Sequence, residues 1–291
     1  MVSLSITNQK AKNRLIFGGL TGTFFLIIWA LSARFFAPLS GESNLTIRFY
    51  DVGQGDAIMV EKGDIQILID GGPTDRILTY LGRDLLPWDR EIDLLVLTHP
   101  HADHFIGLIP VIERYKIGKI LYYPSVYDST GYKKFQELVQ REGAEVLWAQ
   151  AGGEISVGEL SLQILWPIAN FRSDNANNES VVTLLDYQDF EVLLPGDVQI
   201  EVQSQLVIKN DIEVIKVGHH GSVNGSYEPL LRSSQPDLAV ISVGARNRYG
   251  HPHQQTLDLF AKLKIPLLRT DLNGTVTVRS DGRVFWYDSD R

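Results

Sequence analysis

The sequence predicts an α/β layered sandwich held behind a single membrane-spanning helix. Three observations carry that reading. An uncharged stretch of 19 residues stands near the N-terminus, short apolar strands alternate with amphipathic helices from residue 46 onward, and polar side chains gather where those strands end. Alternation of this kind favours stacked sheets covered by helices.

The N-terminal stretch, "LIFGGLTGTFFLIIWALSA", runs from Leu15 to Ala33. As a helix it would be about 28 Å long, close to the hydrocarbon thickness of a bilayer. Lys10, Lys12 and Arg14 precede it. That asymmetry predicts a single-pass anchor with the N-terminus in the cytoplasm and everything beyond Arg34 outside. Small residues at Ala30, Ser32 and Ala33 also offer a cleavage site, in which case the protein would be secreted. The expected organisation is an anchor or signal segment over residues 1–37, a linker over 38–45 and one domain over 46–291.

Along the domain, "LTIRFYDV" alternates apolar and polar residues as a half-buried strand does. "AIMVEKGDIQILIDGG" reads as two strands about a turn at Lys62, Gly63 and Asp64. "DLLVLTH" is a fully apolar strand, and "HFIGLIPVIERY" has helical spacing at Phe105, Leu108, Ile112 and Tyr115. Further strands are expected at "KILYYP", "EVLWA", "LSLQILWP", "SVVTLLDY", "FEVLLPGD", "IEVIKVGHH", "LAVISVG" and "GTVTVRS". Helices are expected at "GYKKFQELVQRE" and "HQQTLDLFAKL".

Composition narrows the chemistry. The chain has no cysteine, which excludes disulfides, thiolate metal sites and cysteine nucleophiles. Residues 1–34 hold four cations and no acid, so of the net charge of −8 the remainder carries −12. A body this acidic argues against broad attraction to nucleic acid. A polyanionic substrate would need local cations, either metal ions or a few placed arginines.

Seven histidines are present, and three of them fall in "THPHADH", residues 98–104. His99 and His101 lie two apart in an extended loop and can face one point. Asp103 and His104 follow on the next turn and can face a second. Neutral imidazole and carboxylate are ligand types for Zn²⁺ or Mn²⁺. Asp70, Asp197, and His219 with His220 end three other apolar strands, with Gly196 allowing the chain to turn before Asp197. Groups delivered by the carboxyl ends of several strands build a site at a sheet edge. Singly, these residues are also ordinary turn or surface residues.

The motifs "THPHADH", "LPGD" and "GHHGS" resemble the metal motifs of the metallo-β-lactamase superfamily. "DVGQGDA", "LIDGG", "NNES", "VGHHGS" and "YGHP" are similar to the C-terminal hydrolase domain of ComEC-type DNA-uptake proteins, over residues 46 to about 289. The resemblance implies a four-layer αββα sandwich and two divalent ions, Zn²⁺ or Mn²⁺. It implies that His99 and His101 bind the first ion, that Asp103, His104 and His219 bind the second, and that Asp197 bridges them. Asp70 would hold a ligand histidine in its useful tautomer. Many relatives supply one more histidine to the first ion, and none stands between His104 and His219 here. Asn178 or Ser180 would replace that imidazole or contact substrate, and a first site richer in oxygen would favour Mn²⁺.

Two such cations lower the pKa of a bridging water and clamp a phosphoryl oxygen. On this reading Asp103 accepts a proton, and His220 or His251 donates one to the leaving oxygen. Ser222, Arg246 and Arg248 would contact a phosphodiester, and Tyr249 would stack on a base. The expected activity is a metal-dependent phosphodiesterase or nuclease acting on DNA outside the cytoplasm. Two alternatives stand beside it: hydrolysis of phosphocholine-type esters on envelope polymers, and a non-catalytic DNA-binding partner of an uptake channel. ComEC-type proteins carry a many-helix channel, whereas the single apolar span here predicts that this chain does not conduct DNA by itself, although a separate channel could be its partner.

Overall fold

The computed structural model describes residues 44–209 and 211–291. The stretch expected to span a membrane lies outside the described residues. Among the described residues, no helix is long and apolar enough to cross a membrane.

Residues 44–291 form one compact unit. Its strands are β1 (Leu45–Phe49), β2 (Ile58–Lys62), β3 (Ile65–Ile69), β4 (Glu91–Leu97), β5 (Lys116–Tyr122), β6 (Glu145–Trp148), β7 (Glu154–Val157) and β8 (Leu160–Trp166). They continue with β9 (Val182–Tyr187), β10 (Phe190–Leu194), β11 (Val214–Lys216), β12 (Leu238–Ile241), β13 (Leu267–Arg269), β14 (Val276–Ser280) and β15 (Phe285–Ser289). One sheet runs β15-β14-β1-β2-β3-β4-β5-β6 and the other β13-β12-β11-β10-β9-β8-β7. Each sheet has a parallel half, β3 to β6 in the first and β10 to β13 in the second.

Side-chain alternation along these strands creates the layers. Leu94 and Val96 of β4 point between the sheets with Ile47, Leu162, Val192 and Val240. Leu95 and Leu97 of the same strand point the other way, onto Phe105, Leu108 and Phe135. In the second sheet Leu193, Ala239 and Ile241 face a third core that includes Leu230 and Phe260. Successive strand residues face opposite sides of a sheet, so two covered sheets need three cores and give four layers. The αββα expectation is met.

The helices are α1 (Ile77–Asp84), α2 (Ala102–Phe105), α3 (Leu108–Ile112), α4 (Thr130–Glu142), α5 (Ile200–Gln203), α6 (Glu228–Ser234), α7 (Gln254–Leu263) and α8 (Thr270–Asn273). α4 starts at Ser129, whose hydroxyl accepts the Tyr132 N–H at 3.1 Å, and ends at Gly143 in the left-handed region. Those are a side-chain N-cap and a glycine stop. The single helix expected over residues 104–115 is two short ones. Gly107 packs against the Gly71–Gly72 turn, so closely that an added Cβ would lie 1.9 Å from the Gly71 carbonyl oxygen, and its N–H donates to the Gly72 carbonyl. That external partner breaks the ladder and brings the 99–104 loop against the end of β3. Helices α1, α5, α6 and α8 and the short strands β7, β13 and β15 were not anticipated.

Phe135 of α4 is fully buried, its ring packed on Phe105, Tyr122 and Tyr132. Phe135→Ala is expected to destabilise the domain by about 3–5 kcal/mol. Urea unfolding followed by fluorescence measures this, and a loss below about 1 kcal/mol would show that α4 adds little to the helix-side core.

Candidate metal centre

The parallel halves of the two sheets deliver their C-terminal ends to one cleft. Asp70 follows β3, His99 follows β4, Asp197 follows β10, and His219 and His220 follow β11. Gly196 has φ +56°, and a Cβ there would meet the Ser180 side chain at 2.9 Å, so the turn that presents Asp197 needs glycine. His219 and His220 also lie at positive φ, +48° and +54°. Such backbone is strained for non-glycine residues, by about 1–3 kcal/mol each. Here it throws two adjacent rings to different places.

One oxygen of Asp197 is the centre of the arrangement. Its Oδ2 lies 3.2 Å from His104 Nε2, 3.3 Å from His220 Nε2 and 3.9 Å from His99 Nε2. Asp103 Oδ2 is 3.4 Å from His220 Nε2. Each imidazole is gripped from behind at Nδ1. His104 donates to Asp70 Oδ2 at 2.7 Å, His220 to the Ser242 carbonyl at 2.9 Å, and His99 to Thr98 Oγ1 at 3.1 Å. Thr98 donates both its N–H, at 2.8 Å, and its hydroxyl, at 2.7 Å, to Asp70. These anchors leave each Nε2 pointing at a carboxylate oxygen, and His99 Nε2 and His220 Nε2 are buried without a hydrogen-bond partner.

Nitrogens facing a carboxylate need a cation between them. Against the effect of burial, the carboxylates raise the pKa of His104 and His220 well above the ordinary value. Without an ion a proton therefore stands there, and the donor set fits a divalent ion that would displace it. Among the described residues four overlapping groups are compact enough to hold one: His99–His104–Asp197, Asp103–His104–His220, and two that include Asp56, Asp56–Asp197–His220 and Asp56–Asp70–His104. Asp70→Ala would free the His104 ring, and metal affinity is expected to fall about 10–100-fold with the fold retained. Calorimetric titration with Mn²⁺ or Zn²⁺ measures this; unchanged affinity would mean that Asp70 does not orient a ligand.

Electrostatics agree with carboxylates kept ionised. Burial alone would raise the pKa of Asp197, yet His220, His104 and Lys216 outweigh it and hold the group far below the usual range. Burial likewise opposes ionisation of Asp103, and the His220 and His104 rings overcome it. A carboxylate that acidic is a better ligand than proton acceptor, which weakens the base role expected of Asp103. Burial and the charge of His104 push His99 well below its ordinary pKa, favouring the neutral ring that a ligand requires.

The structure brings His99, Asp103, His104, Asp197 and Asp70 together. It places His101 on the cleft lining, its ring 4.6 Å from that of His99 but outside the compact ligand groups. It also exchanges the two neighbouring histidines. His220, expected as a proton donor, lies buried within the carboxylate and imidazole cluster. His219, expected as a ligand, is turned to the rim. Its Nε2 meets Asn177 Nδ2 at 3.4 Å, and its Nδ1 lies 3.1 Å from Ser222 Oγ and 3.3 Å from the Gln199 amide. Both of its nitrogens are therefore engaged by other side chains.

Other expectations need correction. Asn178 accepts the Gln199 N–H at 3.0 Å through its side chain, and its carbonyl accepts from Trp166 Nε1 at 2.8 Å, so it braces the loop. Ser180 accepts the Asp197 N–H at 3.2 Å and donates to the Asn177 carbonyl at 2.7 Å, which makes it a support for Asp197 and not a substrate contact. Ser222 is buried beneath His219. His251 is held at about 4 by burial and by His219 and His220, so near neutral pH it is an uncharged ring and a poor general acid. Arg246 is exposed and is not among the residues lining the cleft.

The cleft itself has a volume of about 330 Å³. His101, Asp103, Asp197 and His220 form its floor, with Tyr127, Arg248, Tyr249 and His251 around it. The Arg248 guanidinium lies 5.0 Å over the Tyr249 ring and donates to its hydroxyl at 2.8 Å. Two buried residues were missed altogether. Asp56 and Lys216 form an ion pair behind Asp197. Their signals were the acid of "DVGQGDA" and a lone lysine in the otherwise apolar strand "VIKV".

Residues 50–245 match the family described as the Metallo-beta-lactamase superfamily. The chain belongs to this superfamily. Its curated relatives include the ComE operon protein 3 of Bacillus subtilis, 28% identical over 98% of this chain and 38% of that protein. The competence protein ComA of Neisseria gonorrhoeae is 29% identical over 81% of this chain and 32% of that protein. The chain thus spans about a third of the length of these relatives. Among solved structures of the fold is CmlA, a diiron β-hydroxylase from Streptomyces venezuelae, with a TM-score of 0.56 and 16% identity over 82% of this chain and 55% of that one. Metallo-β-lactamase superfamily members bind divalent metals, often two, and are typically metal-dependent hydrolases. The His and Asp cluster of this chain stands at the C-terminal ends of β3, β4, β10 and β11.

Proposed function

We propose that this protein is a metal-dependent phosphodiesterase, acting on DNA as a nuclease on the outer side of the cytoplasmic membrane and tethered by residues 15–33. The observation that carries the hydrolytic reading is the convergence of His99, His104 and His220 Nε2 on Asp197 Oδ2, two of those nitrogens being buried and unpartnered. His99, His101, Asp103, His104, Asp197 and His220 would hold one or two divalent ions, Mn²⁺ or Zn²⁺. When bound, such ions activate water at neutral pH and polarise a phosphoryl oxygen.

The chain's own residues do the rest. Asp70, Thr98 and Ser242 keep the rings in the tautomer that exposes Nε2. Arg248, at the rim, offers a cation to a phosphate in an otherwise acidic body, and Tyr249 beside it offers a stacking face. The competence-protein likeness supports DNA as substrate and a separate uptake channel as partner.

The full chain, loaded with Mn²⁺ or Zn²⁺, is expected to cut single-stranded DNA and bis(p-nitrophenyl) phosphate and to leave a phosphocholine ester largely intact. Preference for the phosphocholine ester would move the substrate to envelope polymers. DNA binding without cleavage by folded, metal-loaded protein would reduce the role to a binding partner.

A further inference from the structure

Behind the centre lies a charge cluster that the proposed chemistry does not use. Lys216, the last residue of β11, is 1% exposed. A lysine buried this deeply must place all three ammonium protons, and here each has an acceptor. One goes to the Gly196 carbonyl at 2.8 Å and one to Asp197 Oδ1 at 3.2 Å. The third meets Asp56 Oδ2 in a close ion pair. Asp56 is itself buried, and its Oδ1 lies 3.4 Å from His220 Nδ1.

This arrangement divides the Asp197 carboxylate. Oδ1 is occupied by a built-in cation that is part of the chain. Oδ2 faces His99, His104 and His220. Without the ammonium, the carboxylate could rotate about its Cβ–Cγ bond and offer both oxygens, or neither, to the cleft. The same ammonium grips Gly196, the glycine whose turn presents Asp197.

We propose that Lys216 is a positioning residue for the metal centre: its ammonium holds Oδ1 of Asp197 and thereby reserves Oδ2 for cations, with Asp56 fixing the lysine from behind. This rests on the metal-dependent reading above. A competing role gives Lys216 the sole task of neutralising Asp56, because an unpaired buried carboxylate is strongly destabilising. The two roles separate in a charge-balanced variant. Lys216→Met combined with Asp56→Asn removes one charge of each sign, so the net charge of the cluster is unchanged and no buried carboxylate is left without its counter-ion at position 56, while the Oδ1 anchor of Asp197 is lost.

The test uses the full 291-residue chain and Mn²⁺ alone as the probe. Folding is followed by circular dichroism, Mn²⁺ affinity by calorimetry, and ion environment by electron paramagnetic resonance. The double variant is expected to stay folded and bind Mn²⁺ about 10–100-fold more weakly, with an altered resonance spectrum. Asp56→Asn alone, which leaves the ammonium on Asp197 but loosens its support from behind, is expected to lose less affinity than the double variant; an equal loss would place the effect on Asp56 and overturn the role of Lys216. Native affinity and spectrum in the folded double variant would overturn the positioning role and leave Lys216 as the counter-ion of Asp56. If the double variant misfolds, Lys216→Gln with Asp56→Asn, whose amide can still donate to Gly196, is judged by the same criteria. Absence of Mn²⁺ or Zn²⁺ binding by the wild-type chain would instead remove the metal-dependent reading, and this inference with it.

Discussion

Asp197→Asn is expected to abolish hydrolysis, lowering turnover of bis(p-nitrophenyl) phosphate by at least about 10³-fold, near 4 kcal/mol in activation free energy. The physical reason is that one oxygen, Oδ2, sits at the focus of three imidazole nitrogens. An amide keeps the volume but removes the negative charge, and it can turn a donor toward the focus. Metal content measured by elemental analysis is expected to fall in parallel, while thermal unfolding stays cooperative. Native activity in this variant would mean that the cluster of residues 99–104 and 197 is not where the reaction occurs.

A comparison of His220→Ala with His219→Ala has the next largest expected effect, and it separates two residues that are neighbours in sequence. His220→Ala removes a buried Nε2 that lies between Asp103 and Asp197, so metal content and activity should fall together, by about 10²–10³-fold in rate. His219→Ala removes a rim residue engaged by Asn177, Ser222 and Gln199. Metal content should persist, with at most about a tenfold loss through a looser substrate wall. The opposite ranking would restore His219 as the ligand and require the 218–221 turn to rotate when an ion binds. Elemental analysis of both variants, read beside their rates, decides the matter.

The spacing of particular residues made much of this protein legible. A run such as "DLLVL" followed by "THPHADH" is short-range information, because apolar residues need burial and imidazoles two apart in a loop converge without help from the rest of the chain. The strands β1 to β5, the long helix α4 and the delivery of Asp70 and Asp197 at strand ends followed from such local patterns. Helix α3 did not. Its separation from α2 is set by Gly107 lying against Gly71, a contact that spans 36 positions and leaves no periodic trace. Strand β15, "FWYDS", was missed for a similar reason, since its half-exposed aromatic residues become a strand only by pairing with β14.

Local pattern therefore determined the layered class and the ligand types, because burial and donor chemistry are properties of individual side chains. It also identified the strands that would carry those ligands. Tertiary structure decided the remainder: which of two adjacent histidines turns inward, that Asn178 and Ser180 brace the loop, and that Lys216 and Asp56 stand behind Asp197. Each outcome depends on backbone torsions and on partners brought from distant strands. The left-handed turn at His219 and His220 is the clearest case, since a rotation within two residues sends one ring among the carboxylates and the other to the rim.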